Sequence, residues 1–348
     1  MREMKPFDQL TYQGQVRRLR GLGKRALEAF GMSDARMTLI AHAENATFRI
    51  DAPQVTSPAP YVPGRFLLRI HRTAYQTHAE IASELTWLAA LRLESELVVP
   101  DPVPTAGGDL LTRIEAEGFS EPRTCSLLRW IPGRFFEASP RPRHLEAMGE
   151  LMARLHNHVD RWSPPNHFRR RRWDADGLFG ARAGFCRPPD EIWNRVPAPH
   201  RTRFSSVAHQ IADIMEAIGD GPHGFGLLHA DLHLGNVLFR RGEARAIDFD
   251  DCGYGHWVYD FAVPLADMLD RNDWPIWDEA IRRGYGRHRP LPQRQLKQLP
   301  IFMAARLVSL MLWVTDRAIE HPRFRDRLSK WYAWASGHIE RLQTLPPP

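Results

Sequence analysis

The chain has 348 residues, 43% hydrophobic and 25% charged, with a formal net charge of +6. This make-up is that of a globular protein and excludes a disordered or fibrous chain, while the length predicts two lobes and a sizeable core. The excess of arginine favours anionic ligands such as phosphates and favours nucleic acid only weakly.

The N-terminal MREMKPFDQLTYQ lacks the apolar core of a signal peptide. QVRRLRGLGKRALEAFGM then predicts a basic amphipathic helix ending near Gly31. Its GLGKRA has two glycines of a dinucleotide fingerprint but no preceding strand and no third glycine, so nucleotide binding there is not expected. Residues 37–51 and 64–72 predict strands, and in 79–94 Ile81, Leu85, Leu88 and Leu91 recur at helical spacing. Short apolar runs at 109–116 and 123–131 add two more strands, so the first 130 residues predict a small antiparallel sheet with a long helix against it.

After the break at IPG (131–133) the character turns helical, with helices predicted over 144–159 and 204–219. The irregular stretch between them contains four arginines, 169–172, read as a solvated face. Three strand-like pieces follow, GLLH, NVLF and ARAIDF, and then helices to the C-terminus. The most apolar window, 301–314, is short for a bilayer and carries Arg306 at its middle, so a buried helix and no membrane are expected. Cys125, Cys186 and Cys252 are odd in number and far apart, which fits neither a disulfide framework nor a zinc motif and points to a cytoplasmic protein.

Two polar clusters interrupt the buried strands. LLHADLHLGNVLF (227–239) sets down His229, Asp231, His233 and Asn236 between apolar runs, and AIDFDD (246–251) places Asp248, Asp250 and Asp251 at the end of another. Carboxylates this crowded need a cation or strong hydrogen bonds. An oxygen-only donor set (Asn236 and Asp248, with Asp250 as a third candidate) suits Mg²⁺ rather than zinc, and Mg²⁺ normally arrives with substrate phosphates. A hairpin turning at RRGEA would bring both clusters side by side.

HADLHLGN resembles the H-x-D-x-x-x-x-N catalytic loop of kinase-like phosphotransferases, and IDFDD is similar to their metal-binding D-F-G segment. With the later YDFA, and with LLRIHR, SELTWLAAL and LLRWIPG, the chain resembles the aminoglycoside phosphotransferase family from about Thr38 to Asp267. Choline kinases and homoserine-kinase-like proteins belong to the same group. The resemblance implies an α+β, bilobal, protein-kinase-like fold, with a nucleotide-binding lobe over 1–131 and a mainly helical catalytic and acceptor-binding lobe over 132–348.

It also implies ATP and Mg²⁺ as cofactors and a small-molecule hydroxyl acceptor as partner. Asp231 would take the hydroxyl proton, Asn236 and Asp248 would hold the Mg²⁺, and His229, Asp250 and Asp260 would support the loops. Arg69 stands where the family places a lysine on the nucleotide phosphates, with Glu84 as its partner and Glu80 as the rival. Arginine forks to two oxygens and is no simple replacement for lysine. No glycine-rich loop is present; AENATF (43–48) stands in its place, where Asn45 or Thr47 would donate hydrogen bonds, and the backbone of Leu128 and Trp130 would meet the adenine edge. The alternatives are a Ser/Thr protein kinase of the same branch and a non-catalytic nucleotide-binding protein. The sequence leaves acceptor identity and oligomeric state open; acidic Asp250, Asp251, Asp270 and Asp273 could favour a cationic acceptor, and the neighbouring arginines an anionic one.

Overall fold

The computed structural model describes residues 5–42, 44–221 and 224–344. The chain forms two compact units: 1–133 with 166–168, and 134–165 with 169–348. Their architecture is α+β.

The first unit is built on helix α1 (Tyr12–Ala29), strands β1 (Arg36–His42), β2 (Ala46–Asp51) and β3 (Arg65–Ile70), helix α2 (His78–Glu94), and strands β4 (Leu111–Ile114) and β5 (Arg123–Arg129). The five strands form one antiparallel sheet in the order β1-β2-β3-β5-β4. Alternation decides its faces: on β2, Ala46, Phe48 and Ile50 are buried and the residues between them are not. They join Phe66 and Leu68 of β3 and Leu19, Leu22, Ala26 and Leu27 of α1 in one apolar cluster. The glycines of GLGKRA lie inside α1, where a Cβ on Gly23 would come within 2.5 Å of Met37 Cε and 3.2 Å of Leu68. That glycine serves helix-to-sheet packing, and Gly31 just beyond the helix takes a positive φ of 69°.

The second unit opens with α3 (Pro142–Val159), α4 (Ala175–Phe179), α5 (Pro189–Arg195) and α6 (Ala198–Ile218). Four short strands follow: β6 (Phe225–Leu228), β7 (Val237–Arg240), β8 (Glu243–Ala246) and β9 (Gly253–His256). The unit ends in helices α7 (Val258–Ala266), α8 (Trp274–Gly286), α9 (Gln293–Leu296), α10 (Leu299–Glu320), α11 (Pro322–Arg325) and α12 (Leu328–Thr344). The hairpin β7–β8 turns at Arg241 and Gly242, both with positive φ. By contrast, β9 lies where helices alone were expected. Its GYGH carries no apolar run, and only pairing with β6 makes it a strand.

Helix α10 is long and apolar enough to cross a membrane, but 67% of its apolar window is buried in the protein. It is the central helix of the C-terminal packing, with Phe302, Met303, Ala304, Ala305, Leu307 and Val308 all buried.

Candidate active site

In the first unit Arg69 occupies the sheet's middle strand, paired in register with Thr47 on one side and Ser126 on the other. Its Nη1 donates to Glu84 Oε1 at 2.8 Å, and both side chains are buried, 3% and 0% exposed. The rival Glu80 closes the capping box of α2: its Oε2 accepts from Thr77 N at 2.8 Å while Thr77 Oγ1 accepts from Glu80 N. Asn45, between β1 and β2, accepts from Arg72 N at 3.0 Å and so ties that turn to the end of β3. Leu128 is buried on β5 opposite Leu67. Trp130 donates its N–H to Arg65 O at 3.1 Å, and its carbonyl accepts from Val62 N at 3.0 Å. An adenine edge would therefore find the Trp130 N–H already committed and only the carbonyl's second lone pair to use.

In the second unit the loop between β6 and β7 leaves buried Leu228 through His229 and Ala230, both fully buried. Ala230 adopts φ +68°, a conformation that costs a Cβ-bearing residue energy and persists only when the surroundings dictate it. Asp260 on α7 supplies that constraint. Its Oδ1 accepts from Ala230 N at 2.8 Å and its Oδ2 from His229 N at 3.2 Å. Oδ2 is also 3.1 Å from His156 Nε2 on α3, and His156 Nδ1 is 3.0 Å from the Tyr285 hydroxyl on α8. A carboxylate only accepts, so His156 carries its proton on Nε2 and Nδ1 accepts from Tyr285. Complete burial pushes the His156 pKa down despite Asp260, which keeps the ring neutral.

His229 is fixed in the same way. Its Nδ1 accepts from Asp231 N at 3.3 Å, so Nε2–H donates to Ile247 O at 3.1 Å. Burial lowers its pKa too. The ring is therefore a neutral strut between the two polar loops.

Asp231 itself is held at both oxygens. Asn236 Nδ2 donates to Oδ2 at 2.9 Å and to the Asp231 carbonyl at 3.0 Å. Arg306 Nη2, from the middle of α10, donates to Oδ1 at 2.5 Å, and His233 Nε2 stands 3.4 Å from Oδ2. His233 Nδ1 in turn accepts from Gly235 N at 3.1 Å, which caps the short turn Leu234–Asn236. Burial by itself would raise the Asp231 pKa, but the Arg306 guanidinium and His233 reverse this and hold the carboxyl well below the usual range. The pairing in turn raises His233 against its own burial.

The second loop follows β8. Ile247 N donates to Asn236 O at 2.9 Å, which seats Asp248 beside the Asp231–Asn236 turn. Asp248 is exposed at φ +61°, while Phe249 is fully buried with its ring 4.6 Å from that of His229. The arginine run is only in part a solvated face: Arg169 is exposed and Arg171 and Arg172 are half-exposed, but Arg170 is not. Arg170 is buried and donates to the carbonyls of Asp250 and Cys252, and Trp173 Nε1 donates to Asp251 O at 2.8 Å. A run of like charges is solvated by default, but backbone carbonyls at a tight turn need donors, and arginine supplies several at once. Two other acidic candidates already have partners: Asp270 accepts from Trp334 and His338 of α12, and Asp273 from Arg271 and Trp277 close by.

The donor set offered to a cation is Asn236 Oδ1, left over once Nδ2 bonds Asp231, and the Asp248 carboxylate. Both are hard oxygens and fit Mg²⁺. Among the described residues no group of three or more His, Cys, Asp or Glu is placed to hold a metal ion.

The model of the phosphotransferase enzyme family matches residues 37–295, about three quarters of the chain and both polar loops. The chain belongs to this family. As a phosphotransferase it resembles the amicoumacin kinase of Bacillus subtilis, 23% identical over 292 residues, 81% of this chain and 80% of that protein. The solved structure of a microcompartment-associated aminopropanol kinase superposes with a TM-score of 0.76 at 27% identity, over 93% of this chain and 96% of that one. An amicoumacin kinase in complex with AMP-PNP, Ca²⁺ and Ami has the same fold, with a TM-score of 0.76 at 19% identity over 94% and 96% of the two chains. Three residues that this phosphotransferase packs around the candidate site were not singled out from sequence as site residues: Arg306, His156 and Arg170. Arg306 had a signal, the lone charge in the most apolar window of the chain, 301–314. The other two had none, because a histidine in an amphipathic helix and an arginine in a basic run are commonplace.

Proposed function

We propose that this phosphotransferase uses ATP and Mg²⁺ to phosphorylate a hydroxyl group of a small molecule. The observation that carries the reading is the Asp231–Asn236 hydrogen bond, with Asp248 seated next to it through the Ile247–Asn236 backbone bond. Asp231 accepts the hydrogen bond of the attacking hydroxyl and orients it, and takes its proton as the phosphoryl group transfers. Asn236 and Asp248 would hold a divalent cation, which would supply charge neutralisation at the phosphates. Little covalent chemistry is asked of the protein in such a reaction; positioning and charge neutralisation dominate. A base with a low pKa is adequate there, because the proton moves late in a loose transition state. Arg69, braced by Glu84, meets the nucleotide phosphates in place of a lysine.

A small acceptor is favoured over a protein by the short chain after Asp248, which reaches β9 at Gly253 and α7 at Val258 with no length for an activation segment. Support for amino alcohols as the first acceptors to try comes from the aminopropanol kinase and its 27% identity.

The test is Mg·ATP turnover by the purified protein against amino alcohols, choline, homoserine, aminoglycosides, sugars and a generic protein mixture, with Asp231→Ala as control. Stimulation by a small alcohol that disappears in the variant is the expected result. Transfer to protein alone, or unchanged turnover by Asp231→Ala, would overturn the reading.

A further inference from the structure

Arg306 is an expensive residue for α10. Its neighbours Ala304, Ala305, Leu307 and Val308 are buried, and its own side chain is only 17% exposed. A cation so placed is tolerated only when paired, and replacing such a pair by apolar groups is often neutral or stabilising. Stability alone therefore gives no reason for an arginine here. Its partner, however, is the carboxylate that the proposed reaction needs.

The torsion that rotates an aspartate's carboxyl group is broad and roughly two-fold, so one hydrogen bond does not settle which oxygen faces where. Asn236 grips Oδ2 from within the loop, at 2.9 Å. Arg306 grips Oδ1 at 2.5 Å from a helix 75 residues away, whose backbone is locked in the packed core. Together they fix the carboxyl plane. The hydroxyl then meets lone pairs whose direction is set in advance, which is worth more to catalysis than to binding.

We infer that Arg306 is a positioning residue for phosphoryl transfer, acting through Asp231 by clamping its Oδ1. The inference rests on the assignment of Asp231 as the residue that receives the hydroxyl.

The test measures steady-state kinetics of R306M, R306Q and R306K, alone and combined with D231N. The acceptor is the panel compound of highest turnover, or water where no alcohol is turned over. R306M should lose roughly 10²-fold in kcat, with KM for Mg·ATP and direct binding of AMP-PNP within about twofold of the parent. R306K, which keeps a cation but not the fork, should recover part of the loss. In the D231N background R306M should change kcat less than about twofold, since residues acting as a unit are not additive. Added guanidinium ion should restore turnover saturably to R306A, whose truncation leaves room for it.

Native kcat in R306M, or an equal loss with and without D231N, would overturn the inference and leave Arg306 a packing residue. If R306M does not fold, R306Q and the guanidinium rescue of R306A carry the same comparison, and native kcat in R306Q overturns it equally. Native turnover in D231N would overturn the Asp231 assignment and the inference with it, whereas a dead D231N beside a native R306M overturns the inference alone.

Discussion

Arg69 and Glu84 meet at 2.8 Å with both side chains buried, one on the middle strand of the sheet and one on the helix that follows it. Truncating one member of such a pair strands a charge away from water, a loss of about 3–5 kcal/mol. Arg69→Met is therefore expected to lower unfolding free energy by that amount, and Arg69→Met with Glu84→Leu to recover most of it. Urea unfolding of the three proteins checks this. A single variant within about 1 kcal/mol of the parent, the usual worth of an exposed pair, would show that the pair does not behave as buried.

Asp260 holds the loop that carries Asp231 through two backbone N–H groups and His156. Asp260→Ala orphans two buried donors, each at about 1–3 kcal/mol, and frees Ala230 from its positive φ. Lower thermal stability and a kcat reduced by roughly 10²-fold are expected, with Asp260→Asn between the two because one oxygen remains to accept. Lost stability with native turnover would show that the loop keeps its shape without the brace.

Stability should fall on mild acidification. His156 and His229 are buried and neutral, with pKa values pushed below the ordinary value near 6.5 by desolvation. Below about pH 6.5 the unfolded chain takes up protons that the folded chain refuses, so stability is complete above that pH and is lost as pH falls toward the folded values. Each histidine contributes a slope of at most about 1.4 kcal/mol per pH unit. Urea midpoints should drop between pH 7.5 and 5.5, and His156→Gln should flatten the slope. His233, whose pKa is raised, contributes with the opposite sign, so the His156→Gln comparison decides: a slope unchanged in that variant would contradict the assignment of a neutral His156 ring.

Helices α3 and α8 touch backbone to backbone. A Cβ on Gly149 would lie 2.0 Å from Ile281 O, and one on Gly284 1.9 Å from Glu146 O. Neither carbonyl can give way without moving its helix, so Gly149→Ala and Gly284→Ala should each cost about 1–3 kcal/mol or more. The shift would also drag His156 and Tyr285, which these helices carry to Asp260. Calorimetry together with kcat would detect both effects, and a Gly149→Ala protein melting with the parent would refute the close packing.

Much of the fold was legible because its signals are local. The strand-like segments at 37–51 and 64–72 and the helical spacing over 79–94 are such signals, and the sheet and α2 follow from them, although 37–51 proves to be two strands, β1 and β2. Strand β9 was not legible, since GYGH becomes a strand only through β6. The same divide runs through the candidate site. Asp231 and Asn236 sit five residues apart, and their hydrogen bond closes within one turn, so the motif carries its own geometry. Glu84 and Glu80 were rivals for Arg69 in the sequence, and the capping box at Thr77 decided between them by engaging Glu80.

The sequence by itself determined that two polar loops interrupt buried strands, with the residue types and spacing of a phosphotransferase. Short-range hydrogen bonds and hydrophobic periodicity dictate that much, and both are written in neighbouring residues. Only the tertiary structure decided what surrounds those loops: Arg306, 75 residues beyond Asp231, and His156, 104 residues before Asp260. A contact across such separations depends on how whole helices pack, and packing is settled by the shape of the assembled core rather than by any local pattern.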